Sequence, residues 1–399
     1  DTIGHPMVVG RYAGAGAAAP HVLFYGHYDV QPVDPIELWK SPPFEPTIVG
    51  DNLYARGSAD DKGQLFIHLA AAEALFQGTG SLPVNVKYLF EGEEEIGSEH
   101  LEPFIREHAE LLAADVALIS DSHILAPDLP AIVYGLRGLS YVEVHVYGPN
   151  RDLHSGIYGG AVHNPIQALC ELIAGLHDAE GHITIPGFYD EVRPLDPDER
   201  RELARVPFSE EQWLEEAGVP APYGEPEYTI VERTSARPTL EINGIWGGFT
   251  GTGAKTVLPA EAHAKISMRL VPDQEPLEIA ALIAEHLRSI APPTVRVEVT
   301  PLHHGHGAII PRDIPAMEAA RAAYRAAFGV DPVFMREGGS IPVVATFQKV
   351  LGIPSIMLGF GLPDDNLHSP NEKFTLEMFH KGVQTVIHFL NNLANSNGG

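Results

Sequence analysis

Val22-Leu-Phe-Tyr-Gly-His-Tyr-Asp29 is an apolar run that ends in polar, chemistry-bearing residues. A short continuous run of this kind reads as a strand buried on both faces, which belongs in a parallel sheet covered by helices. The neighbouring sequence repeats the pattern. Gln64 to Gln77 has helical spacing, Val84 to Phe90 is strand-like, and Val116-Ala-Leu-Ile-Ser-Asp121 is another apolar run with a polar end. Strands alternating with helices predict an α/β fold, mainly parallel, with ligands gathered beyond the carboxyl ends of the strands.

The character changes after Gly135-Leu-Arg-Gly138. Tyr141 to Tyr147 alternates strictly, as a strand with one solvated side does, and Asn164 to Leu176 is helical in period. Residues 190–238 are rich in charge and proline and predict irregular connections with short helices. Ala262 to Val271, Pro276 to Ile290 and Val295 to Val299 then read as strand, helix, strand. From about Ala308 the α/β pattern resumes, with Ile314 to Phe328 helical and Ser355 to Gly359 a strand. This predicts a discontinuous α/β domain, 1–137 and 308–399, interrupted by a smaller α+β insert, 138–307.

The 399 residues carry 26 Lys+Arg against 53 Asp+Glu, a formal charge of −27. Such a field repels polyanions and anionic lipid, which argues against nucleic-acid or membrane partners. Gly and Pro together make up roughly 18% of the chain, below the 25–30% or so that marks low complexity. Cys170 is the only cysteine, so no internal disulfide forms. Its setting, Ile166 to Ile173, predicts an inert thiol on the apolar face of a helix. No run approaches the roughly 18 apolar residues of a spanning helix, and Asp1 to Gly4 lacks signal-peptide character, so a cytoplasmic setting is expected.

Five polar clusters carry the candidate ligands, four of them at predicted strand or loop ends. His27 precedes Asp29 by two, so the carboxylate can accept from the imidazole and orient it. Gly57-Ser-Ala-Asp-Asp-Lys-Gly63 leads into a helix, where the acids read either as a cap or as hard metal ligands. Glu91-Gly-Glu-Glu-Glu-Ile-Gly97 sets four carboxylates in five residues at a strand end, a crowding that cations relieve. Asp121 and Asn366-Leu-His-Ser-Pro-Asn-Glu372 complete the set. His, Asp, Glu, Asp and His are the ligand types for two metal ions sharing a carboxylate.

These clusters, with Arg151-Asp-Leu-His-Ser-Gly156, Gly253-Ala-Lys-Thr-Val257, Arg336-Glu-Gly-Gly-Ser-Ile-Pro342 and His368-Ser-Pro-Asn-Glu-Lys373, resemble in order the motif series of the two-metal dipeptidases. That family includes the cytosolic non-specific dipeptidases and carnosinases, within a wider group of acetylornithine deacetylases, aminoacylases and carboxypeptidases. The resemblance implies that Asp60 bridges two divalent ions, zinc foremost with manganese or cobalt as alternatives, and that the Asp60–Asp61 peptide is cis. His27 and Asp121 would complete one ion's shell, Glu95 and His368 the other. Glu94 would be the general base, Asp29 the orienting group of His27, and a hydroxide between the ions the nucleophile in dipeptide hydrolysis.

It further implies that the insert is a lid and dimerisation domain of a homodimer, with His154 reaching into the neighbouring subunit's site. Arg269, His306, Gly339 and Ser340 would hold the substrate carboxylate, and Glu337 the free amine. His303 and His304 read as exposed loop residues. Deacylation of N-acyl amino acids or carboxypeptidase action on the same site are alternatives. A silent metal-binding scaffold is the non-enzymatic one, disfavoured by the Glu94-Glu95 pair.

Overall fold

The computed structural model describes residues 4–339 and 341–396. A central eight-stranded sheet runs Val8–Tyr12, Asn85–Glu91, His21–His27, Val116–Ile119, Ser355–Met357, Ala131–Leu136, Ala308–Ile309, with Val333–Glu337 also paired to Ala131–Leu136. Its centre is parallel: His21–His27 pairs in register with both Asn85–Glu91 and Val116–Ile119, and the latter with Ser355–Met357. Antiparallel pairings sit toward its flanks, as at Val8–Tyr12. The fold is therefore the α/β architecture that the apolar runs imply.

Helices cover both faces. Phe24 and Tyr25 are adjacent on one strand, so they point to opposite sides. Phe24 stacks near His68 of helix Lys62–Thr79, while Tyr25 meets Phe347 beyond helix Pro342–Thr346 edge-on. Leu376–Ser396 joins the first layer and packs along both Lys62–Thr79 and Pro315–Phe328. Val22, Leu23, Leu118, Ile119, Ile356 and Met357 are fully buried between these layers.

A second sheet, four-stranded and antiparallel, runs Thr239–Gly247, Glu261–Leu270, Gly138–Tyr147, Arg296–Gly305. The alternation read at 141–147 is obeyed: Val142, Val144 and Val146 are buried with Ala262, Ala264 and Ile266, under helices Pro165–Ala174 and Pro276–Ile290, and form a separate core. The sequence reading missed Thr239–Gly247. Its Asn243-Gly244 pair looks like a turn, but here it forms a register shift between Ile242 and Gly244 inside a continuing strand. Two smaller expectations are also corrected. Cys170 is exposed, because the buried side of its helix is set by Pro165, Ala168, Leu169 and Leu172. His303 and His304 are exposed but lie on strand Arg296–Gly305, not in a loop. Among the described residues, no helix is long and apolar enough to cross a membrane.

Candidate metal centre

The parallel strands end at one edge, and there the polar clusters converge. Strand His21–His27 delivers His27, fully buried, at its last position. The strand stops there, so Asp29 does not share its face by alternation. Beyond the strand end the backbone is irregular, and Asp29 Oδ1 still comes to 3.3 Å from His27 Nδ1. His27 Nε2 lies 3.1 Å from Asp60 Oδ1 and 3.9 Å from Asp121 Oδ2. The other oxygen of Asp60 lies 2.8 Å from His368 Nε2, which is itself 3.5 Å from Glu95 Oε2. Two groups of candidate ligands result, His27–Asp60–Asp121 and Asp60–Glu95–His368, each with donor atoms within 4.8 Å of one another and with Asp60 common to both.

The Asp60–Asp61 peptide is cis. Asp61 stands at the cap position of helix Lys62–Thr79 but makes no capping hydrogen bond; its Oδ2 accepts from His27 N at 3.1 Å. The capping explanation of this acid pair therefore fails. Gly26 has no room for a side chain, since a Cβ there would lie 2.7 Å from Asp61 Oδ2.

The electrostatics fit a cation-binding site. Burial pushes Glu94 up to about 8, with the charge of Asp121 adding to it. Burial likewise raises Asp121 to about 7, with Asp60 and Glu95 opposing its ionisation. Glu95 is raised by burial and by Asp60. Burial disfavours the charge on His27, yet its contacts with Asp29 and Asp60 prevail and hold its pKa high. Burial would raise Asp60 as well, but the two imidazoles keep it ionised. Mixed His and carboxylate donors in two groups sharing one carboxylate match the chemistry of paired divalent ions.

Several residues that fix this geometry were not singled out from sequence. Glu372, fully buried, accepts from Arg56 Nη1 (2.8 Å), Gly57 N (2.9 Å), Ala59 N (2.9 Å) and Asp60 N (3.0 Å). It stands four residues after His368, so the signal was present in the motif that was read only for its histidine. Gln31 Nε2 donates to Glu95 Oε2 at 2.8 Å, and Asp29 Oδ2 accepts from Glu95 N at 3.0 Å. Glu91 accepts from Tyr25 Oη (2.5 Å) and Ser98 Oγ (2.9 Å), which fastens the loop carrying Glu94 to the sheet.

The remaining sequence candidates are more dispersed. Glu337 is half-buried near Asp121, 3.3 Å from His123 Nδ1, and its partial burial raises its pKa. His306 lines a cleft of about 520 Å³ between the Ile96–Glu102 segment, the end of strand Arg296–Gly305 and helix Pro342–Thr346; its Nε2 is 3.4 Å from Lys349 Nζ. Arg269 is half-buried on the second sheet; burial, followed by the Arg269 charge, brings Arg137 down to about 10. Arg137 Nε in turn donates to Gly338 O at 3.1 Å, beside Gly339. His154 is exposed on a two-stranded ribbon paired with Val257–Leu258, its Nδ1 accepting from Gly156 N at 3.0 Å, and belongs to neither ligand group. Ser340 lies outside the described residues.

Comparison with known proteins agrees with this geometry. The family described as Peptidase family M20/M25/M40 matches residues 23–392. The Cys-Gly metallodipeptidase dug1 of Schizosaccharomyces pombe is 37% identical over 98% of this chain and 83% of its own length. The human Beta-Ala-His dipeptidase is 33% identical over 98% of this chain and 78% of its own. Among solved structures, the M20 family metallo-carboxypeptidase Sso-CP2 from Sulfolobus solfataricus superposes with a TM-score of 0.87 at 33% identity, covering 99% of this chain and 89% of its own.

Proposed function

The chain belongs to peptidase family M20/M25/M40, and on that premise we propose that it hydrolyses dipeptides bearing a free carboxyl terminus. The observation that carries this reading is Asp60, which offers one oxygen to His27 and the other to His368 and so joins two ligand groups. His27 and Asp121 would hold one ion, Glu95 and His368 the other, with Asp60 between them. Zinc suits these donors, and manganese or cobalt could replace it. When bound, the ions supply an acidified water and polarise the scissile carbonyl.

Glu94 takes the water's proton and passes it to the departing amine, a task matched to a carboxyl raised toward neutrality. Asp29 holds the His27 ring in one tautomer. Arg269 binds the substrate carboxylate, with His306 and the Gly339-Ser340 turn beside it. Arg137, whose Nε and Nη1 are taken up by backbone carbonyls, feels both the Arg269 charge and that of Glu241, which leaves Arg269 as the fork for the substrate carboxylate. Glu337 receives the free amine and so selects dipeptides over N-acyl amino acids.

In this reading residues 138–307 form the lid of a homodimer, and His154, exposed on its own chain, completes the partner's site. The single cysteine suits a reducing cytoplasm. The test is a screen of dipeptides, amidated dipeptides and N-acetylated amino acids after chelation and metal return. Turnover confined to free-carboxyl dipeptides is expected. Equal turnover of amidated dipeptides would remove the carboxylate clamp, and none with any metal would leave a scaffold.

A further inference from the structure

We propose that the outer face of the lid sheet holds a third metal site, built by His145, His263 and Glu143 and suited to one tetrahedral ion such as Zn²⁺. It shares no residue with the paired centre. The alternation that buries Val142, Val144 and Val146 turns Glu143 and His145 outward, and His263 lies directly opposite His145 on the neighbouring strand. One donor atom from each of the three residues lies within 4.8 Å of the others.

The hydrogen-bond arithmetic of the two rings points to a cation. His145 Nδ1 and His263 Nδ1 face each other at 2.8 Å. The opposite nitrogen of each ring faces a carboxylate: His145 Nε2 is 3.3 Å from Glu143 Oε1, and His263 Nε2 is 3.5 Å from Glu261 Oε1. A neutral imidazole has a single N–H. If both rings direct it to their carboxylates, two lone pairs meet at the Nδ1 contact, which is repulsive until a proton or a metal ion sits there. In the loaded site Glu261 stays behind His263, the usual means of presenting the free nitrogen, while Glu143 exchanges its contact with His145 Nε2 for the ion and leaves that N–H to water.

The geometry leaves room for the ion. Nitrogens bound at about 2.0–2.1 Å in a tetrahedral shell stand about 3.3 Å apart, so the rings need to part by about half an ångström. Trp246 stacks on His263, with centroids 5.1 Å apart and planes at 16°, and limits that movement. The side chains of His145, Glu143 and His263 are 23%, 20% and 13% exposed, so one coordination position stays open to water. Two imidazoles and a carboxylate form a zinc donor set, and an ion there would tie together the two central strands of the lid.

Zinc content measured on the intact protein, after saturation with Zn²⁺ and gel filtration, tests the proposal. The parent should hold three ions per chain. His145→Ala and His263→Ala should each hold two, with dipeptide turnover and circular dichroism unchanged, because neither residue belongs to the paired centre. Zinc should also alter Trp246 emission in an Asp60→Asn background, and not when His263→Ala is added. Two ions in the parent, or three in both histidine variants, would overturn the proposal and leave the Nδ1 contact to a shared proton.

Discussion

Replacing Glu372 by Gln tests whether the metal centre is preorganised by a carboxylate that touches no metal. The four donors on Glu372 divide into two pairs, Arg56 and Gly57 on Oε2, Ala59 and Asp60 on Oε1. An amide has one acceptor oxygen, so in either orientation its NH₂ opposes two donors. Hydrogen bonds to a charged group contribute about 1.5–3 kcal/mol each, and losing one partner of a buried ion pair costs about 3–5 kcal/mol. Both routes put Glu372→Gln near 3–5 kcal/mol in metal-free urea unfolding. Because Ala59 N and Asp60 N adjoin the shared ligand, metal affinity should also fall by about 10–100-fold. Amide exchange at Gly57, Ala59 and Asp60 should accelerate before global unfolding. A variant within about 1 kcal/mol of the parent, with unchanged metal affinity and amide protection, would show that the loop is held by something else.

Glu94→Gln should lower kcat by about 10²–10⁴ while metal content stays constant; activity above a tenth of the parent would remove Glu94 as the proton carrier. Fully buried His68 is pulled by burial to about 3, so it is neutral in the fold and titrates near 6.5 when unfolded. Its contribution to stability is complete above about pH 6.5 and is lost toward pH 3, at up to about 1.4 kcal/mol per pH unit. Urea midpoints of His68→Met against pH should show about one proton less uptake on unfolding over that window, and identical slopes would refute it. His154→Ala and Glu94→Gln chains, each inactive, should regain roughly a quarter of parental activity when mixed and refolded as random dimers. No recovery from confirmed mixed dimers would confine His154 to its own chain.

The fold was legible wherever burial is strict. His21–His27 and Val116–Ile119 are buried almost throughout, so their residue types follow from the environment. Thr239–Gly247 was not legible: most of its side chains face outward and a register shift interrupts its period. Cys170 failed for a related reason. Its helix is apolar on more than the packed side, and composition does not say which side faces the sheet. At the centre, residue types and strand-end positions marked His27, Asp60, Glu95, Asp121 and His368. Which carboxylate meets which imidazole depends on the irregular segment after His27 and on a contact between residues 60 and 368, which local pattern does not encode.

The sequence also could not separate acids that build the site from acids left for a ligand, and the structure supplies a physical criterion. Glu372 takes four protein donors, Asp61 takes His27 N, Asp29 takes Glu95 N, and Glu91 takes Tyr25 and Ser98. Both oxygens of Glu372 are met by the fold, and His27 and Glu95 N hold Asp29 below the usual carboxylate range against its burial. Asp61 and Glu91 hold their partners through one oxygen each, while burial raises them and leaves their other oxygen without a partner. Glu94 and Asp121 are shaped instead by burial and neighbouring negative charge, which raise them to about 8 and about 7. A carboxylate held in a buried place without such donors opposes folding unless a proton or a cation arrives. The donor-rich acids keep the donor-poor ones from relaxing into solvent. In a chain of formal charge −27, the long-range field adds to this local demand, and metal binding should strengthen the fold most at Asp60, where both ligand groups meet.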